Sequence, residues 1–437
     1  MNIPLDRLYH YIRDIAQEIY GDRIIIYRFL SNGSKNINDL THLNDDNHES
    51  LGPDDWYKKS VSPLVWCNDQ EPLDYEFYKT NQAPLSDFSN LLKSVGAYSP
   101  NKNLNYQKNI FEKNILLHSE QRSSNVQKYK DNNELIPVYY WNHALLARDW
   151  FRYAEHENFQ KSTRGTFLIY NRAWSGTREY RLKFAEHLVR LGLLNDCQTS
   201  VSPIEPELGI HYKIHEFKNT AWRPNFPLEN FFPTSTAHSS YSADFDTKDY
   251  NATDIEVVLE TLFDDGRLHL TEKSLRPIAC GQPFILAGTH GSLEYLRSYG
   301  FKTFMHIWDE RYDLIEDPEE RLRKIAELMK QIANWEPWIK ERKLAQARDI
   351  ANYNRQHFFS QGFFNQVTNE LKINLTLGFK EQSQGNNFQP WIDRWTSLML
   401  YPEIKSFLTT PQHYKSPSMD RVNQVLLTAQ NKLKEKK

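Results

Sequence analysis

Cysteine is scarce in this chain. Cys67, Cys197 and Cys280 are the only three in 437 residues. They form no C-x-x-C pair, so neither a cysteine zinc site nor a disulfide framework is expected, and the usage suits a reducing cytoplasm. No stretch approaches the ~18 consecutive apolar residues of a membrane helix. The start, MNIPLDRLYHYIRD, lacks the basic-then-apolar order of a signal peptide, so none is expected. No G-x-G-x-x-G follows a strand-like run and no G-x-x-x-x-G-K-[ST] occurs, which disfavours a nicotinamide dehydrogenase and a P-loop NTPase. Neither sign of charge dominates: 53 Lys and Arg against 56 Asp and Glu give a formal net charge of −3. That excludes a uniformly basic nucleic-acid binder and leaves room for a local basic face. Internal repeats and long low-complexity segments are absent as well.

What is present is an aromatic-rich globular composition. Hydrophobic residues make up 39% and charged residues 25%, enough for a sizeable core, and the length suggests two or three domains. Aromatic residues reach 14%; most belong to cores, and some are suited to stacking on sugars or bases. Strand-like runs at Arg23–Leu30, Pro63–Cys67, Asn114–His118 and Ile136–Tyr140 alternate with helix-like ones such as Leu145–Glu155. After a polar stretch, EHENFQKSTRG, a second series begins. Its strands are Thr166–Tyr170, Gln198–Val201, Ile255–Leu259 and Pro283–Ala287, and its helices are 178–192, 271–280, 290–299 and 317–333. Such alternation predicts an α/β protein with parallel, doubly wound sheets, twice over. The expected organisation is an N-terminal Rossmann-like domain over 1–160, a second over 161–358 and a helical C-terminal segment over 359–437. Helices are expected at 336–359, closing the second domain, and at 360–376, returning towards the first, with the remainder from about 380 a helical appendage. Two such domains facing each other across a cleft suit a ligand held at the C-terminal ends of the strands.

Residues 167–194, FLIYNRAWSGTREYRLKFAEHLVRLGLL, are the most informative stretch. The apolar run Phe167–Tyr170 breaks into a turn holding Arg172, Ser175, Gly176, Thr177 and Arg178. Leu182, Ala185, Leu188 and Val189 then recur at helical spacing. Thr177 is placed to cap that helix, with Glu179 in its first turn. Two guanidinium groups at a helix start make an anion site, since free N–H groups and the helix dipole favour negative charge there. The competing reading is a surface unit with solvated arginines. A second stretch, Glu260–Ile285, runs ETLFDDGRLHLTEKSLRPIACGQPFI. A strand ends at Glu260, and Thr271-Glu272-Lys273 opens a short helix that closes at Gly281. A carboxylate there can accept ribose hydroxyls and a lysine can neutralise a diphosphate. Alternatively Glu272 serves only its own helix and Lys273 is solvated.

The pattern L-T-E-K-x-x-R-P-I-A-x-G-x-P-F-I resembles the donor-binding segment of nucleotide-sugar glycosyltransferases with two Rossmann domains, the GT-B architecture. The α1,3-fucosyltransferases carry a similar T-E-K before a helix and a proline-bearing strand. Ser175-Gly176-Thr177-Arg178-Glu179 resembles the S-G-x-R-E turn of the DNA β-glucosyltransferases of T-even phages, whose arginines hold the donor diphosphate. Val65-Trp66-Cys67-Asn68-Asp69-Gln70-Glu71-Pro72 is similar to the strand-then-aspartate segment that keeps their catalytic base. The chain departs from that family in having Tyr170-Asn171-Arg172 where a glycine pair precedes the arginine turn.

The resemblance implies an inverting, metal-independent glycosyltransferase that uses a UDP-sugar as co-substrate and no cofactor. Asp69 would deprotonate the acceptor hydroxyl, with Glu71 in reserve near the acceptor. Arg172, Ser175, Gly176, Arg178 and Lys273 would hold the donor diphosphate, Glu272 its ribose, and Glu260 would assist. Trp141, Asn142 and His143, after Tyr139-Tyr140, are the candidate acceptor-binding residues, with core packing the alternative for the rings. Asp244-Phe-Asp246 matches a metal-binding D-x-D, but it follows a polar run instead of a buried strand and is read as chance. The implied acceptor is hydroxymethylated cytosine in double-stranded phage DNA, and the sugar glucose or a pentose such as arabinose. A duplex acceptor requires base flipping and a basic surface, for which Lys58-Lys59, the lysine-rich tail and Lys340, Arg342, Lys343 and Arg348 are candidates. The rival acceptor is a surface polysaccharide or lipid-linked glycan, and the non-enzymatic rival is a scaffold that has lost its donor site. A monomer or weak dimer in the (host) cytoplasm, away from membranes, completes the expectation.

Overall fold

The computed structural model describes residues 8–20, 25–29, 64–68, 72–73, 114–132, 138–162 and 165–382, apart from 207, 235, 240 and 241. The chain divides into two compact units. One comprises Met1–Asp6 and His143–Phe364, the other Arg7–Asn142 and Asn365–Lys437. The described residues form a mixed α/β protein.

In the second unit, helix α1 (Leu8–Tyr20) buries Leu8, Ile12, Ala16 and Ile19, a spacing that puts all four on one face. Strands β1 (Ile25–Phe29), β2 (Leu64–Asn68), β3 (Asn114–His118) and β4 (Val138–Tyr140) form a parallel sheet in chain order. Helix α2 (Ser124–Asn132) lies between β3 and β4. Beyond β3, the buried Glu120 accepts the Leu73 amide at 2.6 Å, and Asn125 donates to the Leu73 carbonyl at 2.7 Å. These bonds fix the described end of the segment that follows β2. Asp69 and Glu71 lie outside the described residues, as do Lys58, Lys59 and the tail after 382.

The first unit contains α3 (Ala144–Trp150), β5 (Gly165–Ile169), α4 (Tyr180–Arg190) and β6 (Cys197–Thr199). A short hairpin, β7 (Ile204–Glu205) and β8 (Ile210–His211), and helix α5 (Thr247–Ala252) come next. They are followed by β9 (Thr253–Leu259), α6 (Glu272–Cys280), β10 (Phe284–Ala287), α7 (Ser292–Ser298), α8 (Pro318–Ala333) and α9 (Pro337–Phe359). Helix α10 (Gln361–Gln382) continues into the second unit. The sheet is wholly parallel in the order β10-β9-β5-β6. All seven residues of β9 and all four of β10 are buried, as a parallel sheet covered on both faces requires. Each fully buried Val, Leu or Ile there contributes roughly 1.5–3 kcal/mol. Helix α4 packs with α8, and α6 packs with α3 and α9, giving two helical groups around the sheet.

Two helix starts show how local chemistry sets boundaries. Thr271 caps α6 by accepting the Lys273 amide, and Asp317 caps α8 by accepting the Glu320 amide. Helix α4 differs from expectation. Gly176 adopts φ +64°, which a side chain disfavours, and a single 3-10 turn, Gly176–Arg178, precedes the helix. Thr177 therefore does not cap α4, which begins at Tyr180 without a side-chain cap.

Candidate functional site

The chain leaves β5 for β6 on one side and returns to β9 on the other. The C-terminal ends of β5 and β9 are therefore the topological switch point of this sheet, where ligands of open α/β sheets bind. Arg181, the second residue of α4, fills that point. Its side chain is buried; Nη1 donates to Asn171 Oδ1 (2.7 Å) and the Ala173 carbonyl (2.6 Å), and Nη2 to the carbonyls of Leu259 (2.7 Å) and Glu260 (3.1 Å). Tyr180 adds a hydroxyl bond to the Glu260 carbonyl at 2.7 Å and stacks on Phe263 at 4.3 Å. Burial pulls the Arg181 pKa down, yet a guanidinium remains charged at neutral pH. Arg321 of α8 is its counterpart beside β10. It is bonded to the carbonyls of Gly288 (3.1 Å), Ile315 (2.6 Å), Glu316 (3.0 Å) and Phe263, and burial brings it down to about 10.

Glu260, directly after β9, is completely buried. Its Oε1 accepts from the amides of Thr271 (3.0 Å) and Ser274 (3.2 Å) and from Ser274 Oγ (2.5 Å). Its Oε2 accepts from Thr271 Oγ1 (2.8 Å) and the Thr261 amide (3.1 Å). The carboxylate is thus spent on the start of α6, where a negative charge meets free N–H groups and the positive dipole end. It positions the site from beneath.

On that platform stands Lys273. Its ammonium donates to Glu272 Oε1 (2.9 Å), Thr261 Oγ1 (3.1 Å) and Thr271 Oγ1 (3.2 Å), and its side chain is 16% exposed, so a ligand can reach it. Glu272 is buried, with His143 Nδ1 3.6 Å from Oε2. Burial opposes its charge, but Lys273 and His143 together hold its carboxyl well below the usual range. His143 also meets His269 edge-on at 5.1 Å. A lysine, two threonine hydroxyls, an ionised carboxylate and two imidazoles therefore converge at one helix start, a set able to bind an anion and accept hydroxyl protons. Loop Gly288–Gly291 after β10 borders this place. A Cβ on Gly288 would come within 2.9 Å of Ser292 Oγ and 3.8 Å of the Glu260 side chain.

The expected donor residues fall into two groups. Glu260, Glu272 and Lys273 come together, and His143, expected on the acceptor side, joins them. Arg172 is exposed and Arg178 half-buried, in the turn where Ser175 Oγ donates to Glu205 at 3.1 Å. Glu179 anchors a loop, accepting from the Lys218 (2.9 Å) and Asn219 (3.0 Å) amides beside His215 Nε2 (2.9 Å). Arg181, which the sequence reading passed over as a helix residue, links the groups through Asn171, Ala173 and the Glu260 carbonyl. Asn171 Nδ2 and Thr289 Oγ1 are buried with no hydrogen-bond partner, one after β5 and one after β10. Each such unsatisfied group costs about 1–3 kcal/mol. In the other unit, Trp141 is completely buried and Asn142 6% exposed.

Of the basic segment of α9, two lysines are bonded inward while Arg342 is exposed. Lys340 donates to Thr166 Oγ1 (2.6 Å), Lys343 to the Ile307 carbonyl (2.6 Å), and Arg348 lies 3.8 Å from Asp254. Thr166 and Asp254 sit at the N-terminal ends of β5 and β9, the edge opposite the switch point. Of the D-x-D, Asp246 caps α5 by accepting the Lys248 amide at 2.7 Å. Among the described residues, no helix is long and apolar enough to cross a membrane. Comparisons with protein-family models, curated proteins and solved structures find no match for this chain.

Proposed function

We propose that this protein is an inverting, metal-independent glycosyltransferase of GT-B type that binds its nucleotide-sugar donor, a UDP-sugar, at the C-terminal edge of the β10-β9-β5-β6 sheet. The observation that carries the reading is the reachable Lys273 ammonium, set among Thr261, Thr271 and Glu272 at a switch point with Arg181 buried beside it. A diphosphate leaving group gains negative charge as the glycosidic bond breaks. Fixed cations at that place stabilise the transition state more than the ground state. Glu272, held ionised, takes the ribose hydroxyls. Asp69 acts as the base towards the acceptor, with Glu71 in reserve. The resemblance of the arginine turn points to hydroxymethylcytosine in duplex DNA as acceptor and to glucose or arabinose as the sugar.

Melting of the purified protein with UDP in EDTA tests the donor site. Binding to the folded state alone raises the melting temperature, and Lys273→Ala removes the shift, read against that variant's own ligand-free melt. No response of the intact protein to any nucleoside diphosphate refutes the donor site. The inward bonding of Lys340 and Lys343 favours a second reading, transfer to a surface or lipid-linked glycan. If duplex DNA is the acceptor, its affinity falls by ~0.9 log units per log unit of salt for each phosphate contact. Lys343→Ala then leaves that slope unchanged, because its ammonium already serves Ile307. Failure to bind DNA at low salt selects the glycan.

A further inference from the structure

Away from Lys273, a second polar cluster surrounds Asp249 in α5, the short helix packed against β5 and β9. Asp249 is completely buried. Its Oδ1 accepts from His238 Nδ1 (2.6 Å) and Gln198 Nε2 (2.7 Å); its Oδ2 accepts from the Tyr170 hydroxyl (2.7 Å) and the amides of His238 (2.8 Å) and Ser239 (3.2 Å). Burial, with the charge of Asp249, drives the Tyr170 phenol far above its ordinary range, so it remains a donor. Asp246 stands one helical turn before Asp249, and one ligand atom from each of His238, Asp246 and Asp249 lies within 4.8 Å of the others. The His238 side chain is half exposed.

The charge balance of this cluster rests on one imidazole. A buried carboxylate is held by a charge partner, by hydrogen bonds or by a metal. Among the described residues, no lysine ammonium or arginine guanidinium bonds to Asp249 or Asp246; the donors are amides, a phenol and the His238 imidazole, which pairs with Asp249 at 2.6 Å. Two more oxygens of the same segment, Ser239 Oγ and Asp244 Oδ1, are buried without a hydrogen-bond partner. Fixed neutral donors behind a ligating carboxylate are the outer support by which proteins orient metal ligands.

We propose that His238, Asp246 and Asp249 form a divalent-cation site that takes zinc. One imidazole and two carboxylates suit zinc better than magnesium or calcium, which prefer all-oxygen shells. At bonds of about 2.0–2.2 Å two ligand atoms of a tetrahedral ion stand roughly 3.3–3.5 Å apart, so His238 Nδ1 and Asp249 Oδ1, now 2.6 Å apart, open to admit the ion while Asp246 turns towards it. Rotation of the half-exposed imidazole and of the Asp246 carboxylate supplies both changes. Water completes the shell on the open side. The ion replaces only the proton between His238 and Asp249 and leaves the Tyr170, Gln198 and amide bonds in place. It ties the 238–246 segment to α5 and, through Tyr170, to the end of β5. The site is independent of the donor reading.

The test uses the full chain without a polyhistidine tag, stripped with EDTA and dialysed. Calorimetric titration with zinc chloride gives one saturable equivalent and a higher melting temperature, and magnesium in excess does not compete. His238→Ala, a change at a half-exposed side chain, weakens that equivalent on the order of 100-fold. Tyr170→Phe, which removes a supporting donor, weakens it about 10–100-fold. Absence of a saturable equivalent in the unaltered chain overturns the proposal. So does zinc affinity that is the same in His238→Ala, which would place the ion on other residues.

Discussion

Arg181→Met tests whether the switch point is held by the buried guanidinium. The substitution keeps length and apolar packing and removes every donor. Four acceptors lose it: Asn171 Oδ1 and the carbonyls of Ala173, Leu259 and Glu260. Glu260 keeps the Tyr180 hydroxyl, so three acceptors carry the loss. Hydrogen bonds to a charged donor contribute about 1.5–3 kcal/mol each, and relief from burying the charge returns part of this. The net destabilisation is about 3–5 kcal/mol, read as a shift of the urea midpoint at unchanged m-value. Arg181→Lys retains the charge but cannot fork across to both strand ends, so it falls between the two. A loss below ~1 kcal/mol in Arg181→Met, or equal stability of Arg181→Lys and the unaltered protein, refutes the reasoning.

Asp69→Asn keeps shape and removes the base, so turnover falls by roughly 10²–10⁴ while UDP still raises the melting temperature; near-normal turnover moves the role to Glu71. Asp313, whose Oδ2 accepts the Leu293 amide at 3.0 Å, is pushed up to about 7 by burial. The folded protein therefore holds a proton that the unfolded chain has released above about pH 4. That stability is complete below pH 4 and lost as the pH rises through 7. Asp313→Asn keeps the acceptor and removes this slope, so its stability relative to the unaltered protein rises by about 2–3 kcal/mol between pH 5 and 8. Parallel stability curves for the two proteins would disprove it.

Local chemistry made much of the α/β framework legible. Asn114–His118 is an apolar run with polar flanks and is a strand over those residues. Thr271 and Asp317 cap helices where the sequence places cap residues, and Gly281 closes α6. The elements read less well are those whose signals are long-range or split. Helix α1 escaped notice although its buried residues follow helical spacing. The β7–β8 hairpin and α5 lie in a segment rich in turns, tied by contacts distant in sequence such as Ser175–Glu205 and Tyr170–Asp249. At the site, Thr271-Glu272-Lys273 could be read because a cap, a carboxylate and a lysine are adjacent. His143 could not be placed beside Glu272, since 129 positions separate them and only tertiary packing brings them together. The inward turn of Lys340 and Lys343 was equally invisible: a basic run reads as a solvated face until its carbonyl and hydroxyl partners are known.

Arg181 shows why the most telling residue was the least conspicuous. The sequence offered Arg172 and Arg178 because they stand in the turn, where an exposed arginine meets phosphate in many proteins. Arg172 is exposed, and a charge there is screened over a Debye length of ~8 Å at physiological salt. Arg181 and Arg321 are instead buried against carbonyl dipoles, where screening is weak and the field at the strand ends is correspondingly strong. On the proposed reading this gives a physical reason for the missing glycine-rich loop. A glycine loop attracts phosphate with several weak backbone dipoles, whereas two buried guanidinium groups and one reachable ammonium supply full charges at fixed positions. Arg172 and Arg178 then contribute to capture of the donor, and the buried pair with Lys273 to stabilising its departing diphosphate. Charge removal at Arg178 should accordingly change UDP affinity with salt, while Lys273→Ala should cost affinity at every salt concentration.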